Sequence, residues 1–576
     1  MCRKDFYFLV LFIFLNLIEN LLMSQQPPSQ WDYQFPLDIA PKVSGSFGEL
    51  RTNHFHSGLD IATQGKTGFP VHAADSGFVS RVMVSPGGFG RAVYINHPSG
   101  YTSVYGHLDK FVPRIDSIVT KIQYEEESFK VDLSFDKNEI VVKRGEVIGY
   151  SGNSGSSGGP HLHFEVRRTR DERPVDPLVF PNPVKDDVRP YIYGIKVYPL
   201  SEDATINGAG KAMYYPAVFY NGAFHLKGNP VISASGIIGV GINVIDYYSG
   251  SWRKCGVHSI LLSCDDRPVF KYQMDGFYFR DTRYINSYID YAEKVTTGRT
   301  IQKSYVDPFN KIDLYQTNER HGKLKMLPGK TYQLVYVVTD INGNKSTMEF
   351  PIKGDEMYVS KDSIEDEKKL VIDASKPFFF EKDGYSVSFD RGSFYRNTDG
   401  NIELRQSFIS LSGGVFSILD KTIPVHKPFE IKIPFPDTLD MKGVCGATFS
   451  NNLVRKYAGG YIDGSYFVIK TRVCGEYFLT RDTVLPDVIL RNPPHQMNYQ
   501  GRKEIVVKVK DDFSGIESYE GRIDGKWALF EYDIKNEEII CILDQVPFLK
   551  KGKHELVITA ADGVGNTNTL RTNFRY

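Results

Sequence analysis

Gly159-Pro160-His161-Leu162-His163-Phe164-Glu165-Val166 is the stretch on which the reading of this chain turns. Leu162, Phe164 and Val166 alternate with His161, His163 and Glu165, the period-two pattern of a strand with one apolar and one polar face. Residues two apart on a strand point the same way, so both imidazoles project from one face. On a helix they would stand roughly 200° apart and could not share a small site. Two histidines so placed either ligate one metal together or divide the work, one ligating while the other moves protons. A glycine- and serine-rich run from Gly149 to Gly158 leads into the strand. Far upstream, His56-Ser57-Gly58-Leu59-Asp60 supplies a further histidine and a carboxylate.

Composition narrows the setting. A chain of 576 residues is too long for one core, and roughly three to five domains are expected. Hydrophobic content of 41% and charged content of 24% are those of an ordinary globular protein, while 35 Tyr and 38 Phe favour sheet over helix. Lys+Arg and Asp+Glu are both 69, so the basic excess of a nucleic-acid binder is missing.

The N-terminus reads as an export signal. Arg3 and Lys4 precede an apolar run from Phe6 to Ile18 broken only by Asn16, and Glu19 and Asn20 end it. This is short for a membrane span and suits a signal h-region, so residues 1–24 are assigned as a signal peptide. An uncleaved anchor is the alternative, because no clean small-residue cleavage site follows Glu19; no other membrane contact is expected. The predicted location is exported, periplasmic or envelope-associated. Cys255, Cys264, Cys445, Cys474 and Cys541 follow the signal without any CxxC, which argues against a cysteine zinc site. Cys255–Cys264 and Cys445–Cys474 are conceivable bridges in an oxidising compartment.

The fold class read from the pattern is all-β. Residues 25–42 read as a polar linker, and 43–184 as a compact domain of short strands punctuated by glycine. Within it, Phe129, Val131, Leu133 and Phe135 alternate after Glu125-Glu126-Glu127. Residues 113–140 are therefore predicted to be a hairpin-like insertion rimming a cleft, or else a solvated loop. Farther on, Asp246-Tyr247-Tyr248-Ser249-Gly250 resembles Asp511-Asp512-Phe513-Ser514-Gly515, and Asp340-Ile341-Asn342-Gly343-Asn344 resembles Asp562-Gly563-Val564-Gly565-Asn566. The repeat predicts immunoglobulin-like β-sandwiches at 185–355, with an insertion near 277–328, and at 486–576, flanking a β-rich domain at 370–482. Turn chemistry accounts better than calcium binding for the repeated Asp-x-x-Gly-Asn.

A hydrolytic zinc site needs about three protein ligands and an open position for water. His56, Asp60 and His163 can supply them, which leaves His161 for proton transfer and His107, in Tyr105-Gly106-His107-Leu108, as a further donor. Asn53-His54-Phe55-His56 holds a second His-x-His, so spacing alone does not choose between His54 and His56.

With these motifs in hand, residues 45–168 resemble the LytM/lysostaphin-type zinc endopeptidases of bacterial cell walls. The H-x-x-x-D motif stands as His56 to Asp60, G-x-P-V-x-A as Gly68 to Ala73, Y-x-H-L as Tyr105 to Leu108, and G-P-H-L-H-F-E as Gly159 to Glu165. The resemblance implies that His56, Asp60 and His163 bind Zn2+. It makes His161 the general base on the attacking water, and His107 the group that orients that water or stabilises the oxyanion. His54, His72 and His97 fall outside the ligand set. Glu165, which shares the histidine face, reads as a plain strand glutamate, with support of a ligand from behind as the alternative.

The function so implied is an exported zinc metalloendopeptidase whose substrates are the peptide stems and cross-links of peptidoglycan. A catalytically silent wall-binding regulator on the same fold is the alternative, disfavoured by the presence of all five key residues. The C-terminal sandwiches are expected to position the enzyme or bind a protein partner.

Overall fold

In this computed structural model, residues 31–356, 370–450 and 454–576 are described. The signal assignment at 1–24 lies outside the described residues, and no helix among them is long and apolar enough to cross a membrane.

The first unit is an eleven-stranded antiparallel system. Its main path runs Val43–Gly45, Leu59–Ala62, His161–Arg168, Tyr101–Phe111, Arg91–Asn96, Gly77–Val84 and Val141–Val142. The histidine strand thus lies in the interior of the sheet. Leu162, Phe164 and Val166 are fully buried in the core on one face, which commits His161, His163 and Glu165 to the other.

Two expectations are corrected here. The region 113–140 is not a hairpin: Pro113–Glu125 is an α-helix with Pro in its first turn and Ile115, Val119 and Gln123 buried. Only Val131–Ser134 is a strand, paired with Gly77–Val84. The four-residue spacing of Ile115, Val119 and Gln123 is the helical signal that alternation at 129–135 obscured. Nor is the described part of the stretch before Val43, from Trp31 on, a plain linker. Trp31, Tyr33 and Leu37 are buried in the first core, with Trp31 stacked on Tyr101 and its Nε1–H donated to Asp75 Oδ2 at 2.9 Å.

The second unit is a twelve-stranded system in which Ser233–Ile245, Thr331–Thr339 and Lys345–Gly354 are the long members. The region near 277–328 supplies short helices, Ile285–Tyr288 and Tyr291–Thr297, and seats Ile285 and Tyr288 in the core. Residues 370–482 form two five-stranded sheets around a shared core, and 486–576 two four-stranded sheets around another.

The first two units interlock. Phe47 and Phe55 come from the first unit, yet they are buried in the core of the second, against Phe277. Phe55 N–H donates to Thr282 Oγ1 at 2.8 Å, and Asn286 Nδ2 to Asn53 Oδ1 at 2.8 Å. The C-terminal unit also touches the first: Tyr124 of the helix meets Trp527 edge-on, and Arg91 pairs with Glu531. All five described cysteines are free thiols, so the conceivable bridges Cys255–Cys264 and Cys445–Cys474 are not formed.

Candidate metal centre

Backbone register brings the first two donors together. His163 is paired across the sheet with Asp60 on one side and with Gly106 on the other. His56 arrives from the loop ahead of Leu59, where Gly58 has no side-chain room: a Cβ there would stand 2.5 Å from the Phe164 carbonyl and 3.0 Å from His163 Cε1. As a result Asp60 Oδ1 lies 2.9 Å from His163 Nδ1 and 3.1 Å from His56 Nε2, with the two nitrogens 3.0 Å apart. All three side chains are buried.

The remote ring nitrogens define the tautomers. His56 Nδ1–H donates to the Ser46 carbonyl at 2.8 Å, leaving the Nε2 lone pair for the centre. His163 Nε2–H donates to Glu165 Oε1 at 2.8 Å, leaving Nδ1. Glu165 is wholly buried, accepts from Ser57 Oγ and is held by Arg167 Nε at 2.5 Å. Of the two readings of Glu165, the plain strand residue gives way to the support behind His163. It orients His163, as a carboxylate behind a metal-binding imidazole does. The signal was present, since Glu165 and Arg167 continue the period-two face of His161 and His163. Arg51, whose Nη2 lies 2.5 Å from Asp60 Oδ2, and the Ser46 carbonyl gave no signal.

His161 and His107 border the cluster. His161 Nδ1–H donates to the Gly159 carbonyl at 2.8 Å, and its Nε2 stands 3.4 Å from Asp60 Oδ1. His107 Nδ1–H donates to the Ser154 carbonyl at 2.9 Å, and its ring centroid is 4.7 Å from that of His161. His107 reaches this face through a bulge: Val93 pairs with Tyr105 but Arg91 with Leu108, so one extra residue is inserted. Its φ of 60° is the left-handed conformation rarely adopted by a side-chain-bearing residue.

Three other histidines lie elsewhere. His54 Nδ1 is bonded to the Thr52 carbonyl at an exposed position, His72 pairs with Asp38, and His97 bridges the Ser76 carbonyl and Ser103 Oγ.

The electrostatics fit a cation. Burial alone would raise the Asp60 carboxyl, but the His56, His161 and His163 imidazoles outweigh it and hold it well below the usual carboxylate range. Burial would lower His163, yet Asp60 and Glu165 override it and push the ring up to about 9. Burial pulls His107 down to about 3, helped by His163 and His161, so this ring is neutral at ordinary pH. A positive charge between Asp60 and Glu165 is thus favoured. Two imidazole nitrogens and one carboxylate oxygen are the donor set of hydrolytic zinc.

A buried His-Asp-His cluster flanked by two further histidines on one sheet face is a metallopeptidase-type centre. Residues 54–124 and 132–177 match Peptidase family M23, so the chain carries an M23 domain of the LytM/lysostaphin type near its N-terminus. The match runs through the helix and breaks only between 124 and 132. Residues 369–482 match the Zu5-like domain. The chain is 32% identical over 145 residues to the DD-carboxypeptidase/endopeptidase Mpg of Neisseria meningitidis serogroup B, covering 24% of this chain and 27% of that protein. It is 35% identical over 152 residues to the peptidoglycan DD-endopeptidase ShyB of Vibrio cholerae, covering 25% of this chain and 29% of that one. Among solved structures, a zinc-containing peptidase from Vibrio cholerae is 32% identical, with a TM-score of 0.19, over 25% of this chain and 37% of that one. The chain spans less than a third of the length of these two curated relatives.

Proposed function

We propose that the protein is an exported zinc metalloendopeptidase that hydrolyses peptide cross-links of peptidoglycan at the cell envelope. The observation that carries the reading is the convergence of the buried His56 Nε2, Asp60 Oδ1 and His163 Nδ1, each aimed by its own hydrogen bond or strand register. These three residues would hold the metal. Zinc in such a site supplies Lewis-acid polarisation of the scissile carbonyl and a water acidic enough to react near neutrality.

His161 and His107 do the proton work. Each spends its Nδ1–H on a backbone carbonyl, so each offers an Nε2 lone pair and accepts a proton there first. We assign His161, nearer Asp60, as general base. Neutral His107 orients the water by accepting from it, and it becomes an oxyanion donor only after protonation. Glu165 and Arg167 are positioning residues that act through His163.

The substrate class rests on Mpg and ShyB, whose names specify carboxypeptidase and endopeptidase action, the latter on peptidoglycan. Under this reading the domain at 43–184 performs the chemistry, while immunoglobulin-like sandwiches at 185–355 and 486–576 present it to the wall or to a protein partner. Incubating purified protein with sacculi tests it. Zinc-dependent release of soluble muropeptides, lost in His163→Ala, is expected. Unaltered sacculi with zinc-loaded protein would favour the silent regulator.

A further inference from the structure

The second unit contains a cluster unconnected with the M23 centre. Asp186 precedes the strand Tyr191–Pro199, Asp246 follows Ser233–Ile245, and Asp340 follows Thr331–Thr339, so three loops meet at one end of the unit. One carboxylate oxygen from each lies within 4.8 Å of the others. Asp246 is 1% exposed, and neither of its carboxylate oxygens has a hydrogen-bond partner; Asp186 Oδ2 has none either. Among the described residues, no lysine, arginine or histidine forms an ion pair with any of the three.

A buried carboxylate without donor or counter-charge is costly, so this group ionises only when a cation takes the place of its proton. Burial raises the Asp246 carboxyl most, and Asp340 and Asp186 raise it further, to about 8.

The repeat in the chain supplies an internal comparison. Asp482, Asp511 and Asp562 form the equivalent cluster in the last unit. There turn chemistry closes the site: Asp511 Oδ1 accepts from the amides of Phe513, Ser514 and Gly515, and Ser514 Oγ donates to Asp482 Oδ2 at 2.8 Å. Asp562 accepts from Val564 and Asn566. In the second unit Ser249 N–H goes instead to Asp186 Oδ1 at 2.9 Å, and the Tyr247 amide favours the Asp246 carboxylate without completing a hydrogen bond to either oxygen. Asp340 alone keeps the turn pattern, accepting from Asn344 N and Nδ2. The turn reading of the Asp-x-x-Gly-Asn motifs therefore holds for Asp340 and Asp562 but leaves Asp246 unexplained.

We propose that Asp186, Asp246 and Asp340 bind a calcium ion at the seam between the M23 domain and the second unit. An all-oxygen set of carboxylates selects a hard cation over zinc or copper. Metal–oxygen distances of about 2.3–2.6 Å allow oxygens to stand up to about 5 Å apart across one calcium ion. Loops leave room for the carbonyl and water ligands that calcium, unlike magnesium, accepts in irregular geometry. The seam position follows from the neighbours: Tyr248 and Cys255, close to Asp246 in sequence, pack in the core of the M23 domain. The ion would thus brace the M23 domain against the next unit, whatever that domain hydrolyses.

The test uses full-length protein stripped of metal, reloaded with zinc and then dialysed against calcium chloride at about 5 mM, above the roughly 10⁻⁴–10⁻³ M range of extracellular calcium modules. One calcium per chain and a rise of several degrees in Tm are expected for the wild type and for Asp511→Asn. Asp246→Asn should bind none and gain nothing. Its calcium-free Tm near pH 7 should stay close to that of the calcium-free wild type, since without a cation the buried carboxyl holds its proton and Asn replaces it isosterically; a merely structural aspartate would lower it. Should Asp246→Asn fail to fold, calcium stoichiometry on the wild type and on Asp186→Asn decides. No bound calcium, an equal response in the Asp246 or Asp186 variant, or equal binding of magnesium would each overturn the assignment.

Discussion

His163 lies directly opposite Asp60 in the antiparallel pairing of two neighbouring strands, and its Nδ1 stands 2.9 Å from Asp60 Oδ1. Register therefore fixes these two donors before any metal arrives. Replacing His56, Asp60 or His163 by Ala should empty the centre of zinc. Replacing His161 or His107 by Ala should leave zinc near one per chain while turnover falls by about 10²–10⁴-fold. His54→Ala should do neither. Metal content by atomic emission beside turnover checks all six, and zinc loss in His54→Ala with retention in His56→Ala would contradict the ligand set.

Glu165 separates orientation from ligation. In Glu165→Gln the charge that holds His163 Nε2–H and Arg167 is removed, so zinc affinity should drop by about 10–100-fold while zinc at saturation is still bound. Competition with a chromogenic chelator measures it. Unchanged affinity would return Glu165 to a purely structural role.

Phe55 tests whether the M23 domain stands alone. It is 1% exposed, and its ring fills the core of the neighbouring unit. Phe55→Ala should cost about 3–5 kcal/mol in urea unfolding, and a fragment ending at residue 184 should aggregate unless Phe47 and Phe55 are made polar. A monodisperse, zinc-loaded fragment with both phenylalanines intact would contradict this.

Asp176 gives a pH signature away from the metal. Burial pushes its carboxyl up to about 7, against the pull of the Leu178 amide. The folded value lies above the unfolded one, so the folded state holds the extra proton. The stabilisation is complete below the unfolded value near 3.8 and is lost as pH rises through about 7. Asp176→Asn keeps an acceptor for Leu178 N–H and should flatten that decline in Tm. Parallel wild-type and variant curves would contradict it.

The histidine strand was legible because alternation separates a buried face from a chemical one without any tertiary knowledge. Leu162 and Phe164 behave as the pattern demands, and Glu165 and Arg167 extend it to the residues behind His163. The helix Pro113–Glu125 was missed because its partly charged surface hides three buried positions. Arg51 and the Ser46 carbonyl reach the centre only through loop geometry, which no local pattern encodes. The bulge that turns His107 inward is likewise a property of pairing with Arg91–Asn96, not of the residues themselves. The interlock through Phe47 and Phe55 was hidden for the same reason: an apolar residue does not declare whose core it fills.

The central claim is that this His-Asp-His centre cuts the peptide bridges of the wall. Mass spectrometry of a purified cross-linked muropeptide dimer after incubation with the full-length, zinc-loaded protein tests it most directly. The account predicts conversion to two monomers by addition of one water, abolished by His163→Ala and strongly slowed by His161→Ala. Intact dimer recovered from protein carrying one zinc per chain would contradict it.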